Sequence, residues 1–228
     1  NNCELHASAP VEGKAAVEID ASLVKKYVVN INNSVADGFA EGSVSKNALW
    51  NIKKGETKAE VYVDEALVGG YKVDGENTYV TSTAGFTAAL EAKATKIVLM
   101  PGKYKGVFAI KANGTTITGK KGAVVDCINL NGKNNVTLKD ITFDAEGAQY
   151  SYDGRDGAKQ KANIISADKG HKTLPAGQNI TIYECSFTGE FVSGGVALSF
   201  TDQTRTGSGN VTIEKCTFNT TGGYCDIY

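Results

Sequence analysis

NVTLKDITF (135–143), NITIYECSF (179–187) and NVTIEKCTF (210–218) are three copies of one phrase. Each opens on Asn, continues as an apolar–Thr–apolar triplet and two polar residues, and closes on Ile or Cys, a hydroxyl residue and Phe. Val136, Ile180 and Val211 share one slot, Leu138, Ile182 and Ile213 the next, then Ile141, Cys185 and Cys216, then Phe143, Phe187 and Phe218. The triplet alternates with a period of two, the mark of a strand with one buried face. After the two polar residues the alternation resumes, which predicts a second short strand turned relative to the first.

A third apolar run follows two of the copies, GGVALSF (194–200) and GGYCDIY (222–228), and ANIISAD (162–168) is a looser partner. The copies start 44 and 31 residues apart. The first interval fits two coils of about 22 residues and the second one coil with a long loop. Upstream, TKIVLMPGKY (95–104) and GTTITGKKGAVVD (114–126) continue the pattern in steps of roughly 20 residues. Units of this size that cannot bury their own apolar face must stack. The predicted fold is therefore all-β, a right-handed parallel β-helix whose equivalent side chains form ladders with a rise of about 4.8 Å.

The stretch STAGFTAALEAKATKIVLMPGKYKG (82–106) resembles the opening of the pectate-lyase-like β-helix superfamily, a short helix followed by a first coil ending in Pro-Gly-x-Tyr. The resemblance runs from about 79 to 228. It implies that Ser82 or Thr83 caps a helix whose Phe86 and Leu90, at i and i+4, cover the open end of the solenoid. It is nearly silent on activity, because lyases, hydrolases, viral spikes and inert surface proteins share the fold. Residues 1–78 lie outside the repeat and read as a small β-rich region. KAAVEID (14–20) and AEVYVDEALVGGYKV (59–73) are expected strands, the latter with a turn at Gly69-Gly70. LVKKYVVNINNSV (23–35) fits strand or helix equally, and Trp50 is expected in the core. The β-helix is expected to be incomplete at 222–228, where further chain or another subunit would cover the open coil.

Lys and Arg number 24 against 25 Asp and Glu, so no net field favours nucleic acid or an anionic membrane. No apolar run approaches the length of a membrane span. The five cysteines include Cys185 and Cys216 in one slot of the repeat, where they are expected as reduced core residues stacked below Ile141. Asn135, Asn179 and Asn210 begin N-x-Thr sequons, yet a left-handed Asn turning a corner before a strand explains them first.

The superfamily's lyases need a basic group to take a proton beside a uronate carboxylate, and cations such as Ca²⁺ held by acids. The candidate residues lie in Gly-rich loops. YSYDGRDGAKQK (150–161) carries Tyr150, Tyr152, Asp153 and Arg155, ADKGHK (167–172) carries Asp168 and His171, and TDQTRTGSG (201–209) carries Asp202 and Arg205. Under a lyase reading Arg155, His171 and Arg205 would be catalytic, with Ca²⁺ on Asp168 and Asp202. Under a glycan-binding reading Tyr150 and Tyr152 would stack on sugar beside Asp153 and Arg155. Charged residues in such loops are commonly solvated turns. The outward strand positions Thr137, Thr181, Thr212, Lys139, Tyr183 and Glu214 read as a polar wall with no concentration of acid and base. The sequence therefore favours a non-catalytic structural or attachment module without cofactor, homo-oligomeric, on a virion (phage fibre, spike or capsid decoration) or a bacterial surface. Contact with surface polysaccharide is part of that expectation, and a polysaccharide lyase is the alternative.

Overall fold

The computed structural model describes residues 3–6, 15, 17–37, 50–153, 159–166, 177–191, 195–199, 209–223 and 226–227. These form an all-β structure with one α-helix among the described residues. The chain divides into two compact units, Asn1–Lys72 and Val73–Tyr228.

In the first unit, β1 (Cys3–His6), β2 (Val17–Asp20), β3 (Tyr27–Ile31), β4 (Ser34–Asp37), β5 (Trp50–Lys54), β6 (Ala59–Val63) and β7 (Ala66–Asp74) follow in order. β1 pairs parallel with β4, β2 with β5 and β3 with β6. The segment that periodicity left open between helix and strand is thus β3 and β4. β6 and β7 form an antiparallel hairpin, but its turn is Asp64-Glu65 at φ 45° and 68°, not Gly69-Gly70. Two consecutive positive φ values give the tight turn whose twist matches the flanking strands. The two glycines lie inside β7 instead. A Cβ on Gly69 would fall 2.5 Å from the Trp50 ring, so the glycine is where the indole packs. Trp50 in turn packs on a core of Ile19, Ala21, Ile31, Ala59 and Val61.

The second unit takes in the last two residues of β7 and continues with β8 (Asn77–Val80) and α1 (Thr83–Glu91). Its further strands are β9 (Lys96–Leu99), β10 (Gly102–Ala109), β11 (Thr116–Gly119), β12 (Ala123–Asn129), β13 (Val136–Lys139), β14 (Thr142–Asp144), β15 (Gln149–Asp153), β16 (Lys159–Ile165), β17 (Gln178–Tyr183), β18 (Ser186–Glu190), β19 (Val196–Ser199), β20 (Gly209–Glu214) and β21 (Thr217–Thr221). One parallel sheet runs β8, β9, β11, β13, β17, β20, and the other runs through β12, β14, β18 and β21. The chain passes from the first sheet to the second at β9–β10, β11–β12, β13–β14, β17–β18 and β20–β21.

The phrase pairs in register with itself. Val136 faces Ile180 and Ile180 faces Val211, while Phe143 faces Phe187 and Phe187 faces Phe218. The direct pairing of Val136 with Ile180 corrects the reading of the 44-residue interval, which is one step and not two coils. It is longer than the next because β15 is added ahead of β16 and folds back antiparallel on it, while β16 itself is a regular strand of the step, parallel to β12 and β19. The third apolar run also pairs in register, Ile164 with Leu198 and Leu198 with Ile227, and Ile128 precedes them.

The interior follows from this register. Val136, Leu138, Phe143, Ile180, Ile182 and Phe187 are fully buried. The rings of Phe143, Phe187 and Phe218 stack at 5.0 and 4.9 Å with planes 7° and 5° apart. At the first strands α1 closes the core. Ser82 caps it, its Oγ accepting the Gly85 N–H at 3.0 Å. Phe86 and Leu90 are buried, and the Phe86 ring stacks on Phe108 at 4.3 Å and meets Tyr104 edge-on at 5.8 Å. Tyr104, the Tyr of Pro-Gly-x-Tyr, is wholly buried with its hydroxyl 2.7 Å from the Val80 carbonyl and 2.8 Å from that of Met100. A buried phenol needs such partners, because an unbonded hydroxyl there would be strongly destabilising.

Candidate functional site

The two polar residues in the middle of each phrase turn the chain between the sheets. Asp140, Glu184 and Lys215 occupy the turn at φ 57°, 53° and 54°. The left-handed region is uncommon for residues with a Cβ. It is held here because the turning amides bond to the next copy, Asp140 N–H to the Tyr183 carbonyl at 3.1 Å and Glu184 N–H to that of Glu214 at 3.0 Å.

This geometry stacks the polar pairs into one cluster. Lys139 faces Tyr183, which faces Glu214, all outward. Lys139 Nζ lies 3.7 Å from Asp140 Oδ2, 3.9 Å from Glu184 Oε2 and 5.2 Å from the centroid of the Tyr183 ring. Lys215 Nζ lies 3.7 Å from Glu184 Oε1 and 4.8 Å from the same ring, and it donates a hydrogen bond to the Tyr183 hydroxyl. Tyr183 thus has two ammonium groups against its ring, an attraction set by the ring quadrupole. The hydrogen bond to Tyr183, then the negative charges of Glu184 and Glu214, hold Lys215 above the ordinary lysine range. A lysine pushed in that direction is a charge contact, and a poor general base near neutrality.

An open groove of about 380 Å³ lies at the same corner. Lys120 and Lys121 line it together with Asp140, Glu184 and the residues Thr118, Thr142 and Ser186. Gly119 also lines it, where a Cβ would sit 2.3 Å from the Asp140 carbonyl oxygen. Ammonium donors, carboxylate acceptors and hydroxyls in one groove can hydrogen-bond a polyhydroxylated ligand.

On the other side of the strands, the three Asn residues form a ladder at φ 56°, 59° and 52°. Asn179 Nδ2 donates to Asn135 Oδ1 at 2.9 Å, and Asn210 Nδ2 donates to Asn179 Oδ1 at 3.1 Å. The outward Thr residues form a second rank, Thr116, Thr137, Thr181 and Thr212 in register.

Among the described residues Cys185 and Cys216 are free thiols. Cys185 and Cys216 follow one another below Ile141, as the alignment requires. Cys185 Sγ lies 3.6 Å from the Leu138 carbonyl and 3.5 Å from that of Tyr183. Burial pushes its thiol up to about 12, far from the low values of reactive cysteines.

The residues singled out in the loops are placed differently. Tyr150, Tyr152 and Asp153 lie on β15, antiparallel to β16, with their backbone alone described. Arg155, Asp168, His171, Asp202 and Arg205 lie outside the described residues. The corner cluster was missed because outward strand positions were read without the turning residues beside them. Lys139, Tyr183 and Glu214 are a mixed wall alone, but Asp140, Glu184 and Lys215 add the opposite charges. Among the described residues no group of three or more His, Cys, Asp or Glu is placed to hold a metal ion. No described helix is long and apolar enough to cross a membrane. No protein-family model matches the chain, and neither a curated protein nor a solved structure does.

Proposed function

We propose that the second unit is a right-handed parallel β-helix of the pectate-lyase-like type, and that the chain is a non-catalytic structural and attachment module of an extracellular assembly. Such assemblies include a phage virion fibre, spike or capsid decoration and a bacterial surface array. The β-helix reading is supported by the in-register pairing of the phrase in two sheets. Right-handedness follows from the strong preference of parallel crossovers for that hand. The observation that carries the non-catalytic reading is the corner cluster. Its acids and bases are spent on one another across neighbouring strands, as in a wall built to be regular. Ranks of Thr and Asn extend the same regularity over the outer surface.

Surface polysaccharide is the proposed contact, through Tyr150, Tyr152, Asp153 and Arg155, with other copies of the chain as structural partners. The test is incubation with acidic polysaccharides, with and without Ca²⁺, while following near-ultraviolet absorbance. No unsaturated ends are expected. Unsaturated ends that disappear in Arg205→Ala and His171→Ala would replace this reading with a polysaccharide lyase. Retention on immobilised surface polysaccharide is expected to fall in Tyr150→Ala and Tyr152→Ala.

A further inference from the structure

Between Ala92 and Val125 the chain carries seven lysines and no acid, although the chain as a whole is nearly neutral. Lys96 is paired with Glu76 and Lys111 with Glu91. Lys103, Lys105, Lys120 and Lys121 are exposed, and among the described residues no acid is paired with them. Lys120 and Lys121 sit where the first corner departs from the phrase. Ile117 pairs with Leu138 and Val124 with Thr142, yet six residues separate Ile117 from Val124 and three separate Leu138 from Thr142. With the register kept on both sides of a filled core, the extra residues must loop outward. The Ala123 N–H donates to the Lys120 carbonyl at 2.8 Å, and Gly122 at φ 93° takes the place in that turn that calls for positive φ. Lys120, Lys121 and Gly122 are accordingly exposed, while Gly119 beside them is buried.

This projecting turn forms one side of the corner groove, which Asp140, Glu184, Thr118, Thr142 and Ser186 also line. The charges in the groove do not balance. Asp140 has Lys139 at 3.7 Å, and Glu184 has Lys139 at 3.9 Å and Lys215 at 3.7 Å. Lys120 and Lys121 have no such counter-ion, so two ammonium groups are left for an occupant to neutralise. A third cation lies along the same row of the second sheet. Lys103 pairs with Val124, Val124 with Thr142 and Thr142 with Ser186, so the exposed Lys103 heads the rank that the two hydroxyls continue. The matching occupant brings negative charge to the lysines and hydroxyls to the rest, where they donate to carboxylates and exchange hydrogen bonds with Thr and Ser. A nucleic acid carries a charge on every unit of its backbone and would set phosphates against Asp140 and Glu184. A sugar with an anionic substituent has both kinds of group in the right proportion.

We propose that this groove binds an acidic glycan, with Lys120 and Lys121 on a carboxylate or sulfate of the sugar and Thr142, Ser186 and the paired acids on its hydroxyls. The proposal rests on the polysaccharide contact in the reading above and places it on residues other than Tyr150 and Tyr152. Calorimetric titration of the 228-residue chain at low salt with a uronate hexasaccharide, a sulfated maltohexaose and neutral maltohexaose separates the sources of the charge. An anionic sugar is expected to bind and the neutral one not, and the tighter of the two anionic sugars names the substituent. Lys120→Gln combined with Lys121→Gln should weaken binding roughly tenfold or more, and Thr142→Val, which keeps shape and charge, roughly threefold. Lys25→Gln combined with Lys93→Gln removes the same charge elsewhere and should leave binding unchanged. No binding of either anionic sugar overturns the proposal, as does equal binding of the neutral one. Equal losses in the two lysine pairs overturn it too, because a diffuse field is then at work and not a site. Tighter binding of single-stranded nucleic acid through Lys120 and Lys121 would overturn the choice of occupant. Anionic sugars that still bind the Lys120 and Lys121 variant but are lost in Tyr150→Ala and Tyr152→Ala would leave the reading above and remove this one. The reverse pattern keeps the groove and removes the tyrosine contact.

Discussion

Phe187 and Phe218 hold the same place in consecutive copies of one phrase, and their rings stack at 4.9 Å. Phe187 is completely buried and Phe218 only half. The same contrast separates Ile182 from Ile213 and Cys185 from Cys216. Nothing in the nine residues explains it. Among the described residues the inner copy has a paired neighbour on both sides, and the copy at 210–218 has one. In a stacked architecture each unit is stabilised by its interfaces with adjacent units, so identical residues contribute unequally according to position.

The largest expected effect tests that inequality directly. Phe187→Ala should destabilise by about 3–5 kcal/mol, since it removes a core ring and leaves a cavity between two others. Phe218→Ala should cost roughly half as much. Urea unfolding of both variants makes the comparison, and equal costs would mean that the last copy is covered on both sides.

The next effect is a pH dependence. The Cys185 thiol is raised from an ordinary value of 9.0 to about 12, chiefly by burial. The folded state therefore keeps a proton that the unfolded state loses. The stability held by this site is complete below about pH 9 and is lost as pH climbs toward about 12, with a limiting slope of roughly 1.4 kcal/mol per unit. Cys185→Ala should be less steeply destabilised by alkali than the parent chain when unfolding is measured from pH 8.5 upward. Parallel curves would show that the folded thiol ionises as easily as the unfolded one. The half-buried Cys216 should meanwhile be alkylated well before Cys185 in the native protein, as read by peptide mass mapping. A Cys185–Cys216 disulfide in those maps would contradict the stacked register, because parallel neighbours point the same way.

At the covered end, Ser82→Ala should cost about 1 kcal/mol through loss of the cap on α1. The smallest effect belongs to the outer wall, where Thr181→Ala should cost under about 1 kcal/mol. If Thr181→Ala matched Phe187→Ala, inside and outside would be reversed.

The repeat was legible because the strand period, the two polar turning residues and the recurring Phe all follow from local chemistry. The helix was legible for the same reason, through Ser82 and the i, i+4 pair Phe86 and Leu90. The 44-residue interval was misread because spacing alone cannot tell two short steps from one step lengthened by an added strand. Only the pairing of Val136 with Ile180 decides it. The turn at Asp64-Glu65 was misplaced onto Gly69-Gly70 because glycine usually marks a turn, whereas here Gly69 makes room for the Trp50 ring. The corner cluster was invisible in one copy at a time. Lys139, Tyr183 and Lys215 come from three separate copies of the phrase and meet because the register is parallel.

What the sequence determined by itself was which residues of the phrase face inward, where the phrase turns between its two strands and which slots repeat. Those are properties of a few consecutive residues, since strand alternation and left-handed turns act over that range. What the tertiary structure decided was which copies lie side by side, in what register, and which charges meet at the corner. Each of these depends on residues 20 to 44 positions apart being brought side by side, and pairing between copies sets that, not the local chain.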